Sequence, residues 1–173
     1  MAQKPYTLEP GQKASQVMVG TSHTLLWGDL LTKEQIPVSA FLNTLAEEFV
    51  PIYDAKILFL APTQQMPPVE RPVAYVKLEE VILFFEMANS DPLPEETEVR
   101  RFEPVEAIVG SFQIEASLIK SPIASFETML LVSKDPYLFL YRGTVRHVAK
   151  PWLGSIAAEI FLVRRDALTL TVR

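Results

Sequence analysis

No cysteine occurs among the 173 residues. Disulfides, thiolate metal sites and a cysteine nucleophile are therefore excluded together. Histidine is nearly as scarce. His23 and His147 are the two present, and neither has a carboxylate at ligand or general-base spacing, so no metal site and no acid/base pair is expected. The chain also lacks a Gly-rich phosphate loop, a Gly-x-Ser-x-Gly elbow and a His-Glu-x-x-His helix. No catalytic residues, no cofactor and no enzymatic activity are expected from it. No apolar run approaches the roughly 20 residues needed to cross a bilayer. The segment after Met1 has no apolar signal core, and the chain reads as a cytoplasmic protein without a membrane partner.

What is present is a folded composition, 49% hydrophobic and 21% charged, arranged in a pattern that occurs twice. Tyr75 to Glu86 reads as an apolar run, the charged residues Glu79 and Glu80, and a second apolar run. Phe161 to Val172 repeats this, with Arg164-Arg165-Asp166 as the charged turn. Strand, tight polar turn, strand is the simplest structure for both. Two earlier pieces align in the same order: Val17 to Thr21 with Ala107 to Ser111, and Phe49 to Ile57 with Tyr137 to Val145. The offsets are 90 for Gly20 with Gly110, 88 for Tyr53 with Tyr141 and 86 for Ile82 with Leu168. Such drift needs only short loop changes. One small β module written twice is the expectation, with Ile82 and Leu168 at equivalent buried positions.

The expected organisation is a flexible arm over 1–15, module 1 over 16–86, an acidic proline-rich linker over 87–104 and module 2 over 105–173. Val38, Phe41, Leu42, Leu45 and Phe49 fall on one helical stripe, with Pro37 at its edge. In module 2, residues from Pro122 to Leu131 occupy the corresponding place. Four prolines between Ala61 and Pro72 predict a long loop rather than a central strand. Each module then holds about five strands and one short helix, a size that suits a small barrel without exposed edges. Charge differs between the halves. Residues 1–104 hold 8 basic and 15 acidic residues and residues 105–173 hold 8 and 6, so the halves carry about −7 and +2. Opposite signs favour packing of one module on another, within the chain or between chains, and the acidic total disfavours nonspecific nucleic-acid binding.

The charged turn followed by a final apolar strand resembles the closing strands of Sm-like and SH3-like small barrels, over about 12 residues per module. In Sm-like proteins the helix precedes the first strand, whereas here the helical stripe follows the second. The Val38 to Asn43 helix and the strand through Asp54-Ala55 are similar to an uncharacterised bacterial family of small β domains with a Leu-Ser-Asp-Phe-Leu-Asn-like helix. Val38 and Ala40 replace Leu and Asp here, and that resemblance implies no activity. Arg100-Arg101-Phe102 resembles the start of a PilZ-type cyclic-dinucleotide receptor, but Pro104 stands where a further arginine is needed.

Paired glutamates at 47–48, 79–80 and 95–96 read as solvated charge. The one cluster mixing charge with aromatic residues is Arg142, Arg146, His147, Lys150 and Trp152, with Tyr137 and Tyr141 nearby. Alternation along a strand would put Arg142 and Arg146 on one face and Tyr141 and Val145 on the other. This is the candidate ligand or partner surface. The expected function is non-enzymatic protein–protein interaction or assembly, with the chain itself or another protein as partner. The alternative is single-stranded nucleic-acid binding through residues 137–152.

Overall fold

A computed structural model describes residues 4–44, 47–61, 66–88 and 91–172. The chain is mainly β and divides into two compact units, Met1–Asp91 and Pro92–Arg173. In the first, β1 (Gln12–Gly20), β2 (Thr24–Lys33), β3 (Phe49–Phe59), β4 (Val69–Lys77) and β5 (Leu83–Glu86) form an antiparallel sheet in the order β5-β1-β2-β3-β4. In the second, β6 (Arg101–Val109), β7 (Phe112–Lys120), β8 (Tyr137–His147), β9 (Ser155–Arg164) and β10 (Leu168–Val172) run β10-β6-β7-β8-β9, again antiparallel. In each, the last strand returns beside the first. The charged turns before those last strands are single 3₁₀ turns, Leu78–Glu80 and Arg165–Ala167.

Register makes the comparison residue by residue. Val19 pairs with Leu26 and Leu26 with Ile57, while Ala107 pairs with Ile114 and Ile114 with Val145, an offset of 88 across three strands. Tyr53 and Tyr141 face Val73 and Ile160, which makes the fourth strand's offset 87. Val19 and Ala107 face Phe84 and Leu170, which makes the last strand's 86 and carries Ile82 onto Leu168. Ile82 is buried, but Leu168 is half-exposed. The glycine match is two residues out of register: Gly20 still pairs with Leu25, whereas Gly110 lies in the two-residue turn between Val109 and Phe112.

At one point in each sheet the pairing shifts. Asp54 and Ala55 lie opposite Gly28, and Arg142 and Gly143 lie opposite Ala116. Two residues against one is a β-bulge, which reverses the inward side of the strand. Asp54 and Arg142 adopt positive φ, 50° and 51°, a conformation that costs a non-glycine residue free energy. The inward side therefore changes from Val50 and Ile52 to Ala55 in β3, and from Leu138 and Leu140 to Val145 and His147 in β8, all buried. A methyl on Gly28 would stand 2.5 Å from the Tyr53 carbonyl oxygen, and one on Gly143 would stand 2.5 Å from both Ala116 Cβ and the Glu115 carbonyl oxygen. The first unit places Gly opposite Ala, and the second places Ala opposite Gly. One methyl fits at the crossing.

Three local expectations change. Phe49 belongs to β3 rather than to the helical stripe, because Pro51 disfavours helical backbone at Val50. A 3₁₀ turn (Val38–Ala40) and α1 (Phe41–Thr44) remain, with Val38 and Leu42 buried; Leu45 lies outside the described residues. Pro37 caps nothing. Instead the backbone N–H groups of Val38 and Ser39 donate to Asp91 Oδ1 and Oδ2 at 3.1 and 2.7 Å. Residues 62–65 lie outside the described residues, and the expected proline-rich loop gives way to strand at Val69, since Pro72 lies within β4. Its missing donor falls opposite Asp54, where the bulge leaves no ladder pair, and β4 ends the unit's sheet. Finally, β1 begins at Gln12, within the stretch read as an arm, and Asp91 serves the first unit's helical turn.

Two substitutions test this frame by thermal or denaturant unfolding. Gly28→Ala and Gly143→Ala should each lower stability by about 1–3 kcal/mol. Adding Ala116→Gly to Gly143→Ala removes the Cβ contact but leaves the Glu115 carbonyl contact, and should recover part of the loss; an additive double variant would show that the two facing side chains do not compete for the crossing. Asp91→Ala should cost about 1–2 kcal/mol by freeing two helical N–H groups.

Candidate functional site

The bulge decides which residues of β8 share a surface. It puts Phe139, Tyr141, Thr144 and Arg146 on the outer face and Val145 and His147 on the core side, because inward alternation changes phase at Arg142. The expected separation of Tyr141 from Arg146 is thus reversed. Across the sheet, Tyr141 lies next to Ser117 and Pro104, and Phe102 pairs with Ile119 two residues along. The Phe102 and Tyr141 rings meet edge to face with centroids 5.7 Å apart, and Phe139 stacks on Tyr141 at 6.3 Å. Arg142, turned by its positive φ, lays its guanidinium 4.5 Å from the Phe102 centroid, a cation–π distance. Burial raises the Tyr141 hydroxyl pKa, and the nearby Arg100 charge opposes that shift. Sequence distance hid Phe102 and Arg100 from the cluster.

Arg146 extends the same face. Its Nε and Nη2 donate to Gln113 Oε1 at 2.9 and 2.6 Å, and Gln113 Nε2 donates to Glu106. This chain crosses β8, β7 and β6 and fixes the guanidinium flat on the sheet. The other three residues of the predicted set lie elsewhere. His147 and Lys150 are buried, and Trp152 is half-exposed in the 3₁₀ turn Pro151–Leu153. The outer face therefore keeps Arg142 and Arg146 and gains Phe102, Phe139 and Tyr141.

His147 is 5% exposed, and neither ring nitrogen has a hydrogen-bond partner among the described residues. Its ring packs edge to face on Phe112, 5.2 Å away. Desolvation lowers its pKa and the Lys150 charge lowers it further, so the imidazole sits in the core as a neutral, hydrophobic ring.

A second feature lies between β7 and β8. Helix α2 (Phe126–Val132) buries none of its residues, and Ile123, Leu131 and Val132 are 96, 76 and 71% exposed. Polar bonds hold it in place. Ser125 caps it by accepting from Thr128 N at 3.1 Å. Arg165 donates to the carbonyl oxygens of Leu130 and Ser133 at its other end, and Lys120 donates to Ala124 O at 3.1 Å. A cationic donor at helix C-terminal carbonyls is well placed electrostatically. Phe126, Met129 and Leu130 are half-buried, so the helix is pinned by its backbone at both ends while Leu131 and Val132 face water.

In the first unit an open depression of about 620 Å³ is lined by Glu47, Glu48, Phe49, Pro51 and Tyr75. Pro51 and Tyr75 are cross-strand neighbours, and Tyr75 is 66% exposed. Among the described residues no group of three or more His, Asp or Glu side chains is placed to hold a metal ion, and no helix is long and apolar enough to cross a membrane.

Unfolding reports on His147 directly. The unfolded chain takes up a proton near pH 6.5 while the folded chain takes it up only at lower pH. The unfolded state thus binds more protons in that window, and stability should be full above pH 6.5 and decline as pH falls below it. His147→Leu should remove that part of the decline; an unchanged pH profile in the variant would assign it to other groups.

Compared with known proteins, the chain matches no family model, no curated protein and no solved structure.

Proposed function

We propose that the protein is a non-enzymatic protein–protein interaction or assembly component built from two copies of one small β module. The observation that carries this reading is the α2 connection. Ile123, Leu131 and Val132 stand in water while Ser125 and Arg165 hold the helix from its ends. Contiguous exposed aliphatic surface is characteristic of protein-binding sites. The corresponding segment of the first unit instead buries Val38 and Leu42 under an Asp91 cap. One connection closes a core and the other offers its apolar side chains outward.

Support for two copies comes from the shared strand order, the near-constant register offsets and the bulges with positive φ at Asp54 and Arg142. Non-glycine residues at positive φ are uncommon, so their occurrence at one register position in both units is a specific resemblance. The module is of the small-barrel kind seen in Sm-like and SH3-like proteins.

A second reading, single-stranded nucleic-acid binding, is favoured by the outer face of the second unit. Phe102, Phe139 and Tyr141 supply ring surface and Arg142 and Arg146 supply charge, the combination that stacks bases and tracks phosphates.

One pair of variants separates the readings. With the protein immobilised, Leu131→Asp combined with Val132→Asp should abolish capture of its protein partner while shifting stability by no more than about 0.5 kcal/mol, as expected for exposed positions. Arg142→Ala combined with Arg146→Ala should leave capture intact. If instead the arginine variant loses a salt-sensitive affinity for single-stranded oligonucleotide and the helix variant behaves as wild type, the nucleic-acid reading holds.

A further inference from the structure

The interaction reading leaves the partner open, and two surfaces of the chain fit each other. One is the displayed connection of the second unit, with Ile123, Leu131 and Val132 bare and Lys134 beside them. The other is the first unit's depression, floored by Phe49, Pro51 and Tyr75 and edged by Glu47 and Glu48. Each exposes apolar side chains among the described residues. Residues 1–91 hold 6 basic and 11 acidic residues, whereas residues 92–173 hold 10 of each.

Charge at the two surfaces follows the same sense. Around the helix, Lys120 and Lys134 stand with Arg164 and Arg165, against Glu127, Asp135 and Asp166. Arg164 is paired with Asp166 at 2.9 Å. Around the depression Lys77 is paired with Glu79, which leaves the exposed carboxylates of Glu47 and Glu48 on the rim. An aliphatic surface with four basic and three acidic groups around it thus matches an aromatic depression with an acidic rim. Complementary charge of this kind selects a partner and orients it more than it adds affinity.

We infer that the occupant of the Phe49/Tyr75 depression is the Ile123/Leu131/Val132 surface of a second copy of this chain. The inference rests on the interaction reading and names its partner. Such a contact is heterologous. It uses different patches on the two molecules, leaves one patch of each kind unused at the ends, and so propagates head to tail into an open chain or closes into a ring. Neither patch is large, and the association is correspondingly weak and concentration-dependent.

The test is analytical ultracentrifugation of the full chain with Leu131→Asp and Tyr75→Glu, both at exposed positions, and their folding confirmed by circular dichroism. Wild-type protein should grow in mass with concentration, beyond a dimer or to one fixed ring. Each variant alone should remain at the monomer mass. Mixed in equal amounts they should form a dimer and nothing larger, because one supplies an intact depression and the other an intact helix surface. A wild-type protein that stays monomeric overturns the inference, as does oligomer formation that survives both substitutions or a mixture that stays monomeric. If Leu131→Asp and Val132→Asp still abolish capture of a different protein while the wild type is monomeric, the interaction reading stands and only the identity of the partner is lost.

Discussion

Two backbones come within one methyl group of each other at Gly28 and again at Gly143, and the rest of each sheet depends on that approach. Each bulge holds a residue at positive φ, Asp54 or Arg142, and leaves room for a single Cβ between the facing positions. An eleven-residue strand in regular alternation would send every second side chain to one face. With the extra residue, Val50 and Ile52 before the bulge and Ala55 after it point to the same interior, as do Leu138, Leu140, Val145 and His147. A long strand thus bends around a small core without being cut in two. Modules of this size bury limited surface, so a strand that contributes to the core along its whole length matters.

From that common frame the two units part at the segment linking their second and third strands. In the first, Asp91 reaches back more than fifty positions to bond two N–H groups, and Val38 and Leu42 are buried beneath the turn. In the second, the helix is capped locally by Ser125 and bonded from below by Arg165, and its aliphatic residues remain in solvent. Removing side chains from water is the main favourable term in folding. Leu131 and Val132 forgo that term while the backbone of their helix is bonded at both ends.

Much of the strand frame was legible in the sequence because apolar runs and charged turns carry it: Tyr53 with Tyr141 and Ile82 with Leu168 hold their predicted offsets. The glycine pairing failed because Gly110 makes a turn whereas Gly20 is still in a strand. The bulges were invisible, since neither Asp54 nor Arg142 is the glycine that positive φ usually signals. Missing that one residue inverted the face of Tyr141 relative to Arg146. Pro72 misled for a related reason, because its missing donor falls on an edge strand opposite the bulge residue Asp54, where no ladder pair is lost. For the candidate surface, Arg142 and Arg146 could be read from the chain, but Phe102 lies forty residues earlier and only pairing across β7 brings it alongside.

The outer faces show how one arrangement is reached from different positions. In the first unit Tyr6 meets Tyr53 edge to face at 5.4 Å, Lys4 lies 5.5 Å over Tyr6, and both Lys4 and the Tyr6 hydroxyl bond the buried Asp29. In the second unit Phe102 takes the ring position against Tyr141 and Arg142 supplies the cation. The register places Ser117 where Asp29 stands, and serine brings no charge. Asp29 is nearly out of water, and a buried carboxylate needs a cation and hydrogen bonds to remain ionised, which explains why the chain before β1 is drawn onto the sheet there. Arg142 meets no such carboxylate from Ser117. The same cation, ring and tyrosine thus surround a buried carboxylate on the first face, whereas the equivalent position of the second face supplies none.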